Sequence, residues 1–182
     1  MRRAFAALLA VLAIACTAEA EPAADFPHFT TEGGRVRDGA DILSPEAEAD
    51  LTAKLDQAEE DYGPQMAIVT VPTLEGYSIE DFSLAYANAW GLGDAARDDG
   101  LMIFVAPNEK SVRIEVGLGL EDTFTDAYCQ QVIDNVLLPA FRRGEFETGL
   151  QSATQVLVGR MRQSPTVPAN DNGPESEMEN AA

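Results

Sequence analysis

Two short stretches hold most of the residues able to do chemistry. GLGDAARDDG, residues 91–100, carries Asp94, Asp98 and Asp99 around Arg97. RIEVGLGLEDTFTDA, residues 113–127, carries Glu121, Asp122 and Asp126 behind a Gly-x-Gly turn, with Arg113 in front. Carboxylates crowded this closely repel one another unless something positive joins them. A hard cation with oxygen ligands meets that need: calcium, or magnesium keeping several waters. The glycines would let the backbone bend so that carbonyl oxygens and side chains converge. Arg97 and Arg113 offer a second means of neutralisation, and plain solvation a third; Asp126 also reads as the acidic complement of a helix N-terminus. The spacing does not match an EF-hand loop.

Other chemistries fit poorly. Strand, Gly-x-Gly, helix outlines a dinucleotide loop. Here, however, the third glycine position holds Asp122, the strand arrives from a hairpin, and two acids would face a pyrophosphate. Nucleotide binding is therefore set aside. The single histidine, His28, lies between Pro27 and Phe29, away from the patterned part of the chain, which leaves no base for a Ser-His-Asp triad. Two cysteines and one histidine cannot supply a zinc site of the usual ligands. A formal net charge of -19 and only two lysines, Lys54 and Lys110, exclude nucleic acid as a partner.

The acidic loops need a scaffold. Ser44-Pro45 starts a helix, with Ala47, Leu51, Leu55, Ala58 and Tyr62 at helical spacing and Gly63-Pro64 as the stop. Gln65 to Val71 is a strand rich in branched residues. Ser78 with Asp81 forms a capping box for a second helix, whose inner face reads as Ile79, Phe82, Ala85, Tyr86, Ala89 and Trp90 and which Gly91 closes. Leu101 to Ala106 is a buried strand, turned by Pro107–Lys110 into an alternating strand, Ser111 to Val116. Thr125 caps a third helix running through Phe141, and a fourth follows Gly144. Two apolar strands around a helix imply a parallel crossover, and the next pair a hairpin. The expected fold is α/β, a small mixed β-sheet flanked by helices. The hairpin would place the loop after its second strand beside the loop before its first, so both acidic loops meet at one sheet edge.

The chain ends are of other kinds. Arg2 and Arg3 precede an apolar run from Ala4 to Ala15, too short for an ordinary membrane span. Residues 1–20 read as a signal peptide for export to the periplasm or another extracytoplasmic space. Cleavage fits Ala18-Glu19-Ala20, while Ala13-Ile14-Ala15-Cys16 reads as a lipobox that would leave the protein anchored by a lipid on Cys16. Under the first reading only Cys129 remains, so no disulfide forms within the chain; Cys129 is expected to be a small core residue. Residues 21–35 read as a linker and 163–182 as a disordered acidic tail, leaving no transmembrane span in the mature chain.

The order of these pieces resembles the TPM domain family. VRDGADILS (36–44), WGLG (90–93), DDGLMIFVA (98–106), RIEVGLGLEDTFTDA and LLPAFRRGEFETGL (137–150) carry the likeness, which spans about residues 36–162. The resemblance implies an α/β sandwich on the non-cytoplasmic side of a membrane, and a divalent-cation site, calcium or magnesium, whose ligand positions here are Asp98, Asp99, Glu121 and Asp126. It also implies one of two functions. One is an accessory protein that binds a membrane-associated or envelope protein. The other is a metal-assisted acid phosphatase, with a metal activating water, Arg97 or Arg113 holding the anion, and Asp98 or Asp99 as nucleophile. No residue pattern points to a catalytic group beyond these. Many bacterial relatives carry a further transmembrane segment and a glycine-rich tail, where this chain has an acidic one.

Overall fold

The computed structural model describes residues 34–164. The expected leader, Cys16, His28, most of the linker and the acidic tail lie outside these residues.

Four strands form one sheet in the order β1-β2-β3-β4. They are β1 (Val36–Asp38), β2 (Gln65–Thr70), β3 (Gly100–Ala106) and β4 (Ser111–Val116). The first three run parallel, and β4 returns antiparallel at the edge. The crossover and the hairpin fall where the apolar runs placed them. β1 is an addition. Three residues are too short to show an alternation, and its partner lies some thirty positions ahead, with Val36 opposite Ile68. Asp38 then turns the chain: its carboxylate accepts from the Leu43 amide at 2.7 Å and from the Thr70 hydroxyl.

Period two divides the sheet into two faces. Met66, Ile68, Leu101, Ile103 and Ile114 join one core, covered by α1 (Pro45–Tyr62), α3 (Asp126–Val132) and α5 (Phe146–Met161). Ala67, Val69, Met102 and Phe104 join the other, covered by α2 (Ile79–Trp90). All of β3 is buried because both of its faces are covered. Ser44, Ser78 and Thr125 each cap a helix through a side-chain oxygen, as their positions in sequence foretold.

Two local expectations change. On α2 the buried face takes in Ser83 with Phe82 and Tyr86, while Ala89 is exposed. Ser83 is tolerated there because its hydroxyl lies 2.6 Å from the Ile79 carbonyl and 2.5 Å from Glu115 on β4. The third helix is not one regular α-helix. A π-helical turn, Ile133–Leu137, separates α3 from α4 (Leu138–Phe141). Pro139 lacks the N–H that would bond back to Asn135 and its ring crowds that carbonyl, so the helix widens just before it.

Candidate functional site

The two acidic loops do meet, and glycine is what allows it. The Gly119 amide donates to the Asp98 carbonyl at 2.9 Å, and the Gly117 amide to the Gly100 carbonyl at 2.8 Å. A Cβ at 117 would lie 2.3 Å from the Asp98 carbonyl oxygen, and one at 119 only 1.8 Å from that of Arg97. Gly117 has φ -67, a value open to any residue. Its glycine is therefore required by space rather than by backbone conformation. The Gly-x-Gly of the RIEVGLGLE segment closes backbone on backbone, where a dinucleotide loop would leave room for phosphate.

Inside the first loop the charges are largely settled. Asp99 is wholly buried. One of its oxygens accepts from the Asp94 amide at 2.8 Å and the other from Arg97 Nε at 2.6 Å. Arg97 also reaches Asp94 at 3.5 Å, and its pKa is raised further, chiefly by the hydrogen bond to Asp99. Asp94 accepts from the amides of Ala96 and Arg97, which rounds the turn. Asp98, next in line, takes a left-handed φ of 49.

Beyond the loops opens a cleft of about 680 Å³ between α2, β4 and the start of α3. Asp98, Glu121 and Asp126 line it and are all exposed. Three of the four positions expected to hold a cation thus share one wall system, while Asp99 points into the loop and is taken by Arg97. On the floor Arg113 pairs with Glu115, two residues along the same strand face. Among the described residues no group of three or more acidic, histidine or cysteine side chains is arranged to hold a metal ion. The carboxylates are gathered but do not converge.

The cleft is also apolar in part, which the periodicity of the sequence did not mark. Of the three large apolar side chains left exposed among the described residues, Leu84 (53%) and Leu118 (73%) both stand on it. Leu118 was concealed by its neighbour: in Leu-Gly-Leu, Leu120 is buried and Leu118 is not. Leu84 was legible as a leucine off the apolar stripe of α2. Trp90 is half-buried at the end of that helix, with the Arg37 guanidinium 3.7 Å above its ring. Cys129 is buried, with its Sγ 3.8 Å from the Phe124 carbonyl. Burial pushes its thiol up to about 11, with Asp126 adding to the shift and Arg113 opposing it, which disfavours the reactive thiolate.

The family model of the TPM domain matches residues 36–160, nearly all of the described chain. The chain belongs to the TPM domain family. Among solved structures this TPM domain is similar to the N-terminal domain of a P. gingivalis protein, at 29% identity and a TM-score of 0.65, covering 71% of this chain and 83% of that one. The BA42 protein of the psychrophilic bacterium Bizionia argentinensis shares the fold at 18% identity and a TM-score of 0.59, over 66% of this chain and 82% of its own. So does the N-terminal domain of the cg2496 protein of Corynebacterium glutamicum, at 17% and 0.58, over 80% and 90%. No curated protein is a significant match. No helix among the described residues of this TPM domain is long and apolar enough to cross a membrane.

Proposed function

We propose that this TPM domain is an exported accessory module that binds a membrane-associated or envelope protein through the cleft between α2, β4 and the 117–126 loop. One observation carries the reading: Leu84 and Leu118 stay exposed on the same cleft that Asp98, Glu121 and Asp126 line. Single exposed leucines are ordinary on a surface, but two on one polar-rimmed concavity form the kind of apolar patch that fits a protein partner. The acids give the surface its sign and favour a basic one. The charged start and small-residue end of residues 1–20 support export.

A photo-cross-linking amino acid at position 118, with a control at Gln57 on the exposed side of α1, tests the reading in the native envelope. The expected result is a discrete adduct from 118 that is absent from 57 and lost when Asp98, Glu121 and Asp126 become asparagine or glutamine. No adduct at 118, or equal adducts at both, refutes it.

A divalent cation is a second reading, favoured by the three carboxylates on one cleft. It requires those side chains to move together, and calcium or magnesium would then tie loop 91–100 to loop 117–125. Saturating ion at about 100 times its dissociation constant would stabilise the fold by roughly 2.7 kcal/mol. A melting shift that disappears in Glu121→Gln supports it, and no shift at millimolar ion ends it. Phosphoryl transfer draws less support. Arg97 pairs with Asp99 and Asp94 and Arg113 with Glu115, so either would have to clamp an anion with its remaining N–H groups and beside a carboxylate that repels it.

A further inference from the structure

β4 is an edge strand whose outer side is open along the cleft. In the antiparallel pair the Gly117 amide bonds to the Gly100 carbonyl, which fixes the phase of the ladder. Residues 111, 113, 115 and 117 therefore bond to β3, while the N–H and C=O groups of Val112, Ile114 and Val116 point away from it. Among the described residues nothing pairs with them. Five consecutive residues, Arg113 to Gly117, line the cleft. They come from both faces of the strand, so the floor of the cleft is the strand's outer edge. α2 with Leu84 rises on one side, and Leu118 with the start of α3 on the other.

We propose that this edge takes up an extended, basic segment of a partner protein as a fifth strand. The inference rests on the partner-binding reading above and names how that partner is held. An open edge offers a row of unpaired backbone groups, and a groove beside it supplies pockets for alternate side chains. Leu84 and Leu118 suit apolar side chains of the incoming strand. Asp98, Glu121 and Asp126 suit lysine or arginine between them, Glu115 being already paired with Arg113.

Charge also decides against the nearer occupants. Residues 21–33 contain Glu21, Asp25 and Glu32 and no lysine or arginine. Residues 165–182 contain four acids, no basic residue and Pro165, Pro168 and Pro174, which cannot donate to a ladder. A second copy of the chain would bring the same acidic rim against itself.

The test uses an eight-residue peptide of repeated Lys-Lys-Val-Val, which as a strand carries lysine and valine on both faces, added to the protein while amide exchange is followed by NMR. On saturation, exchange at Val112, Ile114 and Val116 should slow by about tenfold or more, as expected of amides entering a ladder. Arg113 and Glu115, already bonded to β3, should change less. Glutamate in place of lysine should abolish binding. Methylating the peptide nitrogens at every second residue, in each of the two phases, should weaken one phase by about tenfold or more, since only one phase faces β4. No binding, equal affinity in both phases, or binding that leaves the three amides exchanging freely overturns the proposal. Envelope adducts at position 118 together with unprotected amides would sink strand addition alone. Protected amides without envelope adducts would sink the partner reading instead.

Discussion

Gly119→Ala is the sharpest perturbation of this fold, because it drives a methyl group into the junction of the two acidic loops. The added Cβ would lie 1.8 Å from the Arg97 carbonyl oxygen and 3.1 Å from that of Asp98. Ordinary contact with an oxygen needs well over 3 Å, so one loop must retreat by about an ångström or more. The obstacle is backbone and cannot rotate away as a side chain would. Overpacking of this kind costs about 1–3 kcal/mol, and the displacement also removes the Gly119-to-Asp98 hydrogen bond, worth about 1 kcal/mol more. The expected loss is therefore about 2–4 kcal/mol. For a domain of this size that is a fall in melting temperature of roughly 6–15 °C. Thermal unfolding by circular dichroism, beside a urea titration with unchanged slope, reads it directly. A melting temperature within 2 °C of wild type would mean that the loops do not meet as described, and the shared cleft would go with them.

Other expectations follow from single contacts. Gly159 sits on α5, and a Cβ added there would meet no atom within 4 Å, so Gly159→Ala should stabilise by about 0.5–1 kcal/mol, seen as a higher urea midpoint. Asp99→Asn should cost about 1.5–2 kcal/mol. It removes a charge-assisted bond, but Arg97 is 42% exposed and regains water, which keeps the loss at the low end of the range; a loss below 0.5 kcal/mol would mean the pair is not formed. Cys129, with Cys16 replaced by serine, should resist Ellman's reagent at pH 8 until the protein unfolds. Because its folded pKa is raised to about 11, the unfolded thiol ionises first as pH climbs past about 8.5. The neutral thiol's contribution is thus complete below that pH and declines toward 11, so the stability gap to Cys129→Ala should narrow over that window.

The architecture was legible wherever a local signal was strong. Ser44-Pro45, Ser78-Asp81 and Thr125 mark helix starts by their own hydroxyls, and the unbroken apolar run LMIFVA reads as a buried strand. The meeting of the two loops followed from the hairpin alone, since antiparallel pairing puts Gly117 opposite Gly100. What escaped was decided by distant partners. β1 is a strand only because β2 passes beside it. The helix after Thr125 breaks its period at Pro139, a residue visible in the sequence whose effect the apolar spacing around it masks. Counting acids in GLGDAARDDG could not separate Asp98 from Asp99. One backbone step turns the first outward and the second inward, and the left-handed φ at Asp98 is where that happens.

That step also explains how the domain tolerates so acidic a loop. The Asp99 carboxylate is buried with an arginine and a backbone amide, so the most costly charge is met inside the loop. Glu115 is met by Arg113 in the same way on the floor of the cleft. Asp98, Glu121 and Asp126 are left in solvent, and no guanidinium pairs with them among the described residues. Repulsion among them is weak in water and grows as a surface closes over them and lowers the local dielectric. An apolar segment alone would therefore bury Leu84 and Leu118 while raising the free energy of the rim. A segment carrying lysine or arginine would cover the leucines and neutralise the rim in one step. The same residues that make an acidic partner unfavourable make a basic one specific, which is why the charge-reversed peptide separates this account from simple stickiness.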